Sequence, residues 1–341
     1  MSVETAAAPV TALLVSAGLS AVLSKYRGRW ALLDVPNDRS LHARVTPRSG
    51  GLGIVAGLLA GGAIAAALPP MWPWLLSALA LVAVVSFVDD LYGLSPLLRL
   101  PVHLLAAIVV VFPAGYALAD FRLPGLVWHA PAWSLQGFSV LFVVWMVNLY
   151  NFMDGMDGFA AGMACIGFAT LALLGMLAGA PLYALAALLV CAAAAGFLPF
   201  NFPPARLFMG DLGSGSLGFT AAMFMLWADR GGLFPSWLAA LPFSPFIVDA
   251  TWTVSRRIAQ GKRPWQAHRE HFYQRLVRAG WGHKRTVLWS YALMLECSLI
   301  AVVCFCFTAV WVQGVLLGLV AAEYVALIAG INALERRPPS R

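Results

Sequence analysis

Charge is what this sequence most lacks. Only 11% of its 341 residues are Asp, Glu, Lys or Arg, whereas 61% are hydrophobic. A soluble domain carries about 25% charged residues, so this composition excludes a soluble domain and indicates an integral membrane protein. Apolar runs close to the ~20 residues that a helix needs to cross a bilayer recur along the chain. They are continuous rather than alternating, which favours helices over a barrel.

Cysteine is also scarce, and its distribution indicates no metal or disulfide framework. The five cysteines lie in apolar runs without ligand spacing: Cys165, Cys191, Cys297, Cys304 and Cys306. We interpret them as small apolar residues of a helix bundle. The N-terminal run lacks the leading positive region of a secretory signal, so we interpret it as a retained first span.

The apolar runs predict an all-α polytopic membrane protein, a single domain over residues 1–341 with about eleven transmembrane helices. The predicted spans are 7–24, 51–68, 74–88, 102–119, 137–150, 159–178, 181–198, 213–228, 236–255, 287–309 and 311–333. The loops on one predicted side are about 25–50, 89–101, 148–158, 199–212 and 256–286.

Basic residues are divided unequally between the two predicted sides. Arg122 and Arg230 lie on the poorer side, and the remaining Lys and Arg residues lie in the loops just given or in the C-terminal tail. The positive-inside rule makes the richer side cytoplasmic. The N-terminus is then outside (periplasmic in a bacterium), the C-terminus is cytoplasmic, and each polar cluster described below faces the cytoplasm.

Two adjacent acids end the third apolar run, in "SFVDDLYGLSPLLRLPVH". At least one of Asp89 and Asp90 is expected near membrane depth, where ionisable residues are costly and mark functional sites. Adjacent carboxylates raise each other's pKa unless a cation neutralises them, which indicates a metal-binding or phosphate-handling role. The alternative is an acidic cap of the following turn. Arg99 and His103 share a face if this segment is helical.

A second polar cluster, "NLYNFMDGMDGFA", follows the fifth apolar run. It has four polar residues spaced by three: Asn148, Asn151, Asp154 and Asp157. At this spacing neighbours share a side of a helix, while the glycines nearby break a regular one. A helix end followed by a tight turn can converge these amide and carboxylate oxygens on one point, and such oxygens suit Mg²⁺. The alternative is a plain polar loop.

A third cluster lies in "FLPFNFPPARLFMGDLGSGSLGF". Asn201, Arg206 and Asp211 are embedded there among aromatic residues and prolines. Asp211 stands at the entrance of the next span, where a further carboxylate can join a metal site. The Gly/Ser run after it lacks the Lys of a Walker A loop, so it does not predict one.

Two basic clusters complete the set. The stretch "DVPNDRSLHARVTPRSGGLGI" brings Arg48 to a glycine-rich helix entry, whose free N–H groups suit an anion; the alternative is an ordinary positive-inside loop. The last loop, "RRIAQGKRPWQAHREHFYQRLVRAGWGHKRT", contains His268, His271 and Arg275. We interpret it as a basic loop facing phosphate groups or as topology alone. Zinc is disfavoured because neither an HExxH motif nor Cys partners accompany the histidines.

All of these clusters fall on the predicted cytoplasmic face. Acids that can hold a metal, beside basic groups that can hold phosphate, are the components of phosphoryl transfer, which depends on positioning and charge neutralisation. An enzyme with many spans suggests a bilayer substrate, such as a lipid phosphate that meets a soluble phosphate ester. A transporter is the main alternative, but it predicts acids in mid-span and an internal repeat, which the sequence does not show.

Five stretches resemble, in order, those of the polyprenyl-phosphate N-acetylhexosamine-1-phosphate transferases, of glycosyltransferase family 4 type. They are "DVPNDRSLHARVTPRSGG", "VDDLYGLSPLLRLPVH", "NLYNFMDGMDGFA", "FNFPPARLFMGDLGSGSLG" and the last basic loop. The resemblance implies a multi-pass enzyme of the bacterial inner membrane. In that family a polyprenyl (undecaprenyl) phosphate attacks the sugar-linked phosphate of a UDP-N-acetylhexosamine. The products are a polyprenyl-diphosphate-sugar and UMP, and Mg²⁺, or Mn²⁺ in its place, is the cofactor.

The resemblance also implies roles for the matching residues. Asn151 and Asp211 match metal ligands, and Asp89, supported by Asp90, matches the carboxylate that deprotonates or orients the lipid phosphate. The further expected catalytic residues are Asp154 and Asp157. The expected substrate-binding residues are Arg48, Arg99, Asn148, Asn201, Arg206, His268, His271 and Arg275. The spaced aspartate run of the CDP-alcohol phosphotransferases, another lipid-phosphate family, is absent.

One departure from the family pattern affects the expected donor. Relatives that start teichoic-acid chains carry a His-Leu-His-His-Arg-Leu run where this sequence has "HFYQRL", with Tyr273 and Gln274 in place of two histidines. The change is similar to the branch that starts O-antigen-type polysaccharides, on sugars such as N-acetylfucosamine or N-acetylquinovosamine. Dimers are common in the family, which allows a homodimer, although no pattern here indicates one. Nucleic acid is not an expected partner.

Overall fold

The computed structural model describes residues 3–26, 32–35, 44–65, 72–263, 266 and 268–335, with side chains from residue 6 to residue 334 of these. The helices in these ranges are α1 (Val3–Lys25), α2 (Gly50–Ala65), α3 (Trp72–Tyr92), α4 (Pro96–Val111), α5 (Ala132–Met153), α6 (Phe159–Leu177), α7 (Pro181–Asn201), α8 (Gly210–Arg230), α9 (Ser236–Ala240), α10 (Ser244–Ala259), α11 (Phe272–Leu276), α12 (Gly282–Cys306) and α13 (Val310–Glu335). Two short antiparallel pairs join β1 (Leu33–Asp34) to β2 (Thr46–Pro47) and β3 (Phe121–Leu123) to β4 (Leu126–Trp128).

The described chain confirms a helical, polytopic membrane protein. Seven helical segments are long and apolar enough to cross a bilayer: α1, α3, α5, α6, α7, the continuous run from α11 through α12, and α13. Two shorter apolar helices, α2 and α4, accompany them. The number of eleven spans and the sides on which the termini lie stay predictions.

Three predicted boundaries are wrong, because helices continue past their apolar runs or break within them. Helix α3 continues to Tyr92 and α4 begins at Pro96, so the predicted loop 89–101 is mostly helical. Helix α4 ends at Val111 rather than near 119, since the chain turns at Gly115, whose φ is 75°. The predicted span 236–255 consists of α9, a 3₁₀ turn at Leu241–Phe243 and the start of α10.

Helix α8 lies at the centre of the bundle, against α2, α3, α5 and α6. Its glycines allow close approach: a Cβ added at Gly213 would lie 3.0 Å from Gly51 Cα of α2. One added at Gly218 would lie 2.5 Å from the Met146 carbonyl oxygen of α5. Small residues at helix contacts let backbones come close in membranes. The ends of several helices therefore meet around the start of α8.

The segment before α2 is bonded to the segment before α8. Phe208 N–H donates to the Pro47 carbonyl at 2.7 Å, and the N–H groups of Gly50 and Gly51 donate to Phe208 and Met209 carbonyls at 2.9 and 2.7 Å. The glycine-rich entry to α2 is thus a backbone contact rather than an open anion site, and the ordinary-loop interpretation of these glycines is the better one.

Candidate active site

The acids predicted from separate loops converge at the start of α8. Asp90, in the last turn of α3, accepts hydrogen bonds from the N–H groups of Asp211 at 3.0 Å and Leu212 at 2.9 Å. It therefore caps α8, whose free N–H groups and dipole favour a negative charge. Arg48 Nη2 donates to the backbone carbonyl of Asp90 at 2.7 Å and ties the first basic cluster to the same point. Asp90 is buried, so its carboxylate serves the fold of the site.

Arg99 lies between two other acids of this cluster. Its Nη1 contacts Asp89 Oδ2 and lies 3.1 Å from Asp211 Oδ2. Asp89 is buried and also accepts the Leu94 N–H at 2.5 Å, whereas the Asp211 side chain is 34% exposed. Asn151, at the end of α5, donates to Asp211 Oδ1 at 2.8 Å. Asp211 is thus held on both sides and remains open to solvent.

The turn after α5 adds two more acids. Asp157 accepts the Ala205 N–H at 3.0 Å, and its other oxygen lies 3.2 Å from His283 Nδ1. In the described part of the chain no residue forms a hydrogen bond with the Asp154 carboxylate. Burial and the neighbouring carboxylates of Asp211, Asp90 and Asp157 raise the pKa of Asp154 well above its ordinary value of 3.8. We call the site formed by Asp89, Asp90, Asp154, Asp157 and Asp211 the cleft, and its carboxylates outnumber Arg48 and Arg99, the arginines beside them.

That excess of negative charge bears on metal binding. Among the residues described, no three His, Cys, Asp or Glu side chains form a ready metal-binding group. Mg²⁺, however, uses one or two carboxylates and completes its shell with water and substrate phosphates. The oxygens of Asp211, Asn151 and Asp89 are hard donors that lie close together, and the Asp211 side chain is partly exposed, so this set fits Mg²⁺.

The last basic loop folds back over the same cleft. The ring of His271 stacks on that of Phe152, with centroids 6.1 Å apart, and Phe152 directly follows Asn151. Tyr273 Oη donates to the Phe152 carbonyl at 3.0 Å. The Tyr273 hydroxyl also covers Gly155, where an added Cβ would lie 2.1 Å from it. Tyr273, which stands in place of a usual histidine, thus packs on the turn that holds Asp154. Gln274 instead accepts the His271 N–H at 3.3 Å.

The other predicted residues of this loop lie near His271. The ring of His268 contacts that of His271 at a tilt of 35°, with centroids 4.8 Å apart. Burial, His271 and Arg257 lower the pKa of His268 to about 4. His268 is therefore neutral near pH 7. Arg275 is buried and donates to Asn332 Oδ1 of α13 at 2.6 Å. Its guanidinium thus serves helix packing in this structure.

Three predicted substrate-binding residues use their polar atoms locally. Asn201 accepts the Gly158 N–H at 3.0 Å and donates to the Leu207 carbonyl at 3.1 Å, so it braces two turns. Asn148 donates to the Val144 carbonyl at 2.7 Å within α5. Arg206 is exposed and donates to the Pro199 carbonyl at 3.3 Å. Their contacts with substrate stay predictions.

Sequence reasoning missed two residues of the site region. Asp249 on α10 lies 3.1 Å from His271 Nδ1 and is buried. An acid inside a predicted span is itself a signal of a functional site. His283 lies in the predicted basic loop 256–286, and only the tertiary structure places it against Asp157.

Comparisons with known proteins point to one family. A family model described as glycosyl transferase family 4 matches residues 72–229, which include the acids of the cleft. The chain is 31% identical over 306 residues, 86% of its length and 83% of the relative's, to a probable undecaprenyl-phosphate N-acetylglucosaminyl 1-phosphate transferase of Bacillus subtilis (strain 168).

Two further relatives carry related names. An undecaprenyl-phosphate alpha-N-acetylglucosaminyl 1-phosphate transferase of Yersinia pestis is 27% identical, over 80% of this chain and 76% of its own. A decaprenyl-phosphate N-acetylglucosaminephosphotransferase of Mycobacterium tuberculosis (strain ATCC 25618 / H37Rv) is 28% identical, over 84% and 78%. Since identity above 30% extends over most of both chains in the first case, this chain belongs to glycosyl transferase family 4, the polyprenyl-phosphate N-acetylhexosamine-1-phosphate transferases.

Proposed function

We propose that this chain transfers an N-acetylhexosamine 1-phosphate from a UDP-sugar to polyprenyl (undecaprenyl) phosphate and releases UMP. The observation that carries the proposal is the convergence of Asp89, Asp211 and Asn151 around Arg99, with Asp154 nearby. The relatives named for undecaprenyl-phosphate and decaprenyl-phosphate substrates support the lipid acceptor and the sugar phosphate.

In the reaction, the sugar-linked phosphorus exchanges UMP for the lipid phosphate as its partner in a diphosphate. An oxygen of the lipid phosphate forms a bond to the sugar-linked phosphorus, and the bond from that phosphorus to the bridging oxygen breaks, so that UMP leaves with the electron pair. Asp89 is the residue that orients or deprotonates the lipid phosphate, and Arg99 contacts both Asp89 and Asp211 at that point. Such chemistry depends mainly on positioning and neutralised charge.

The cofactor of this proposal is Mg²⁺, with Mn²⁺ as a substitute. Asn151 and Asp211 supply its protein oxygens, with Asp89 close by. When bound, such a cation neutralises the charge of the diphosphate and of the crowded carboxylates. Asp154 and Asp157 shape the nucleotide and metal region from the turn after α5.

The proposed location is the bacterial inner membrane, with this cleft on its cytoplasmic side. The support is the concentration of Lys and Arg in the loops on the predicted side of the membrane that also carries the cleft residues. A single cysteine introduced at Lys262 in a cysteine-free background tests it. An impermeant maleimide should label that cysteine in inverted vesicles and not in intact spheroplasts.

The last loop supports a proposal for the pathway and sets the range of donor sugars to be tested. We place the chain in the branch that starts lipid-linked surface polysaccharides of O-antigen type, because "HFYQRL" departs from the histidine-rich run. The relatives reported above are named for N-acetylglucosamine, so the donor panel includes UDP-N-acetylglucosamine with the N-acetylgalactosamine, N-acetylfucosamine and N-acetylquinovosamine forms.

The test is UMP release by purified protein with undecaprenyl phosphate, Mg²⁺ and each donor, with the lipid product identified by mass spectrometry. We expect one donor or more to give UMP that requires the lipid and Mg²⁺. Asp211→Ala should abolish it, whereas Asp120→Asn, at an acid whose contacts are Arg122 and His129 outside the cleft, should retain it. Turnover unchanged in Asp211→Ala, or absent with every donor, would contradict the proposal.

A further inference from the structure

Asp249 holds the start of α11 through both oxygens of its carboxylate. It lies on α10, is 5% exposed, and is the acid of the predicted span 236–255. Its carboxylate accepts hydrogen bonds from Thr253 Oγ1 at 3.2 Å, Phe272 N at 3.0 Å and Tyr273 N at 3.3 Å, and it contacts His271 Nδ1 at 3.1 Å. A buried carboxylate with this many donors is costly to remove, because each donor loses its partner.

The contact with Asp249 orients the ring of His271. Asp249 Oδ1 lies 3.1 Å from Nδ1 of that ring. The start of α11 is fixed further by a capping contact between His271 and Gln274, in which the Gln274 side chain accepts the His271 N–H at 3.3 Å. A carboxylate behind an imidazole orients the ring in the same way at metal and hydrolase sites.

The same carboxylate also connects α11 to the acids of the cleft. His271 stacks on Phe152, and Tyr273 Oη bonds to the Phe152 carbonyl at 3.0 Å. Phe152 is the neighbour of Asn151, which bonds to Asp211. Asp249 therefore fixes three consecutive residues, two of which contact the turn beside the proposed metal ligands.

We propose that Asp249 is a positioning residue, which orients the ring of His271 beside the cleft for the phosphate groups of the donor and holds α11 against the α5 turn. This inference rests on the proposed function for the identity of that ligand. With Tyr273 and Gln274 in the positions of the family's other histidines, His271 is the imidazole of this run that the structure places beside the cleft.

Turnover of single and double variants tests the part played by His271. Asp249→Asn and His271→Gln should each lower kcat/KM by roughly 10–100-fold, the usual cost of losing a supporting group. The double variant should lose little more than either single variant, because both changes act through one ring. Asp229→Asn is the matched control: Asp229 is a buried acid at the far end of α8 that accepts the Ala119 and Ser236 N–H groups at 2.8 and 3.1 Å.

Limited tryptic digestion gives a readout that does not require the reaction. Arg275 is buried while α11 is held, so Asp249→Asn should speed cleavage after Arg275 roughly tenfold as the segment opens locally. Asp229→Asn should leave that rate unchanged. Additive losses in the double variant, or cleavage at the wild-type rate in Asp249→Asn, would overturn the inference. Faster cleavage in a protein inactive on every donor would refute the proposed function and keep the positioning role.

Discussion

Asp90 and Asp211, 121 positions apart, are joined through the first turn of α8. Asp90 Oδ1 accepts the backbone N–H of Asp211, and its Oδ2 accepts that of Leu212. Gly210 makes the approach feasible, since a Cβ there would lie 2.9 Å from Asp90 Oδ2. The neighbouring acid, Asp89, faces Arg99 instead. Two adjacent carboxylates thus have different contacts: Asp90 caps α8, and Asp89 pairs with Arg99 in the cleft.

Asp90→Ala should therefore destabilise the protein more than Asp89→Ala. The change leaves two helix N–H groups without their acceptor, at a cost of about 2–4 kcal/mol for lost charge-assisted bonds. Loss of Asp89 leaves Arg99 still paired with Asp211. The measurement is the apparent melting temperature in detergent, followed by tryptophan fluorescence. Equal melting temperatures for the two variants would show that Asp90 does not anchor α8.

Asp154→Asn should abolish turnover without lowering stability. No described side chain or N–H group bonds to the Asp154 carboxylate, and its neighbours are other acids. Because its pKa is raised on folding, the folded protein binds a proton that the unfolded chain has lost, so stability falls as pH rises above about 4. In EDTA, Asp154→Asn should melt at a higher temperature than the wild type at pH 7.5, and the gap should narrow at pH 5. A lower melting temperature at both pH values would contradict this.

Much of the bundle follows from hydropathy, because the membrane imposes a local rule on each segment. A run of apolar residues predicts a helix wherever its partners lie, so the segments and the acids at their ends are readable one by one. Hydropathy predicts the exact ends of the helices less well. Helix α3 carries Asp89 and Asp90 inside its last turns since hydrogen bonds continue where the apolar run stops.

The local sequence does not show which residues pair with each other inside the site. Asn201 has the polar amide expected of a substrate-binding residue, yet the oxygen and the nitrogen of that amide both form hydrogen bonds with backbone groups. Asp249 falls inside the predicted span 236–255, and its partner His271, 22 positions away, lies in the loop that follows. In both cases the role of the residue depends on which loop packs over which helix end. Tertiary contacts, such as that of Tyr273 with Gly155, determine this packing.

Arg99→Met should make the protein depend more strongly on Mg²⁺ for stability. Without the guanidinium, Asp89 and Asp211 face each other with no cation between them. A bound cation then replaces the missing charge, and binding to the folded state raises stability by mass action. The Mg²⁺-induced rise in melting temperature should exceed that of the wild type, with Arg99→Lys between the two. Arg122→Met, at an arginine paired with Asp120, should respond like the wild type. No Mg²⁺ response in any of these proteins would contradict a metal at the cleft.

Gly155→Ala should damage the site through Tyr273, and Tyr273→Phe should partly restore it. The new Cβ would lie 2.1 Å from Tyr273 Oη but 3.1 Å from Cζ, so removal of the hydroxyl relieves most of the clash. Overpacking of this kind costs about 1–3 kcal/mol, whereas Tyr273→Phe alone loses one hydrogen bond to the Phe152 carbonyl, about 1 kcal/mol. Melting temperature and UMP release are measured for the two single variants and the double variant. The double variant should exceed Gly155→Ala in both. If the double variant falls below Gly155→Ala in both measurements, the hydroxyl of Tyr273 is not the source of the clash. The packing of Tyr273 on the turn between Asp154 and Asp157 then has no part in shaping the cleft.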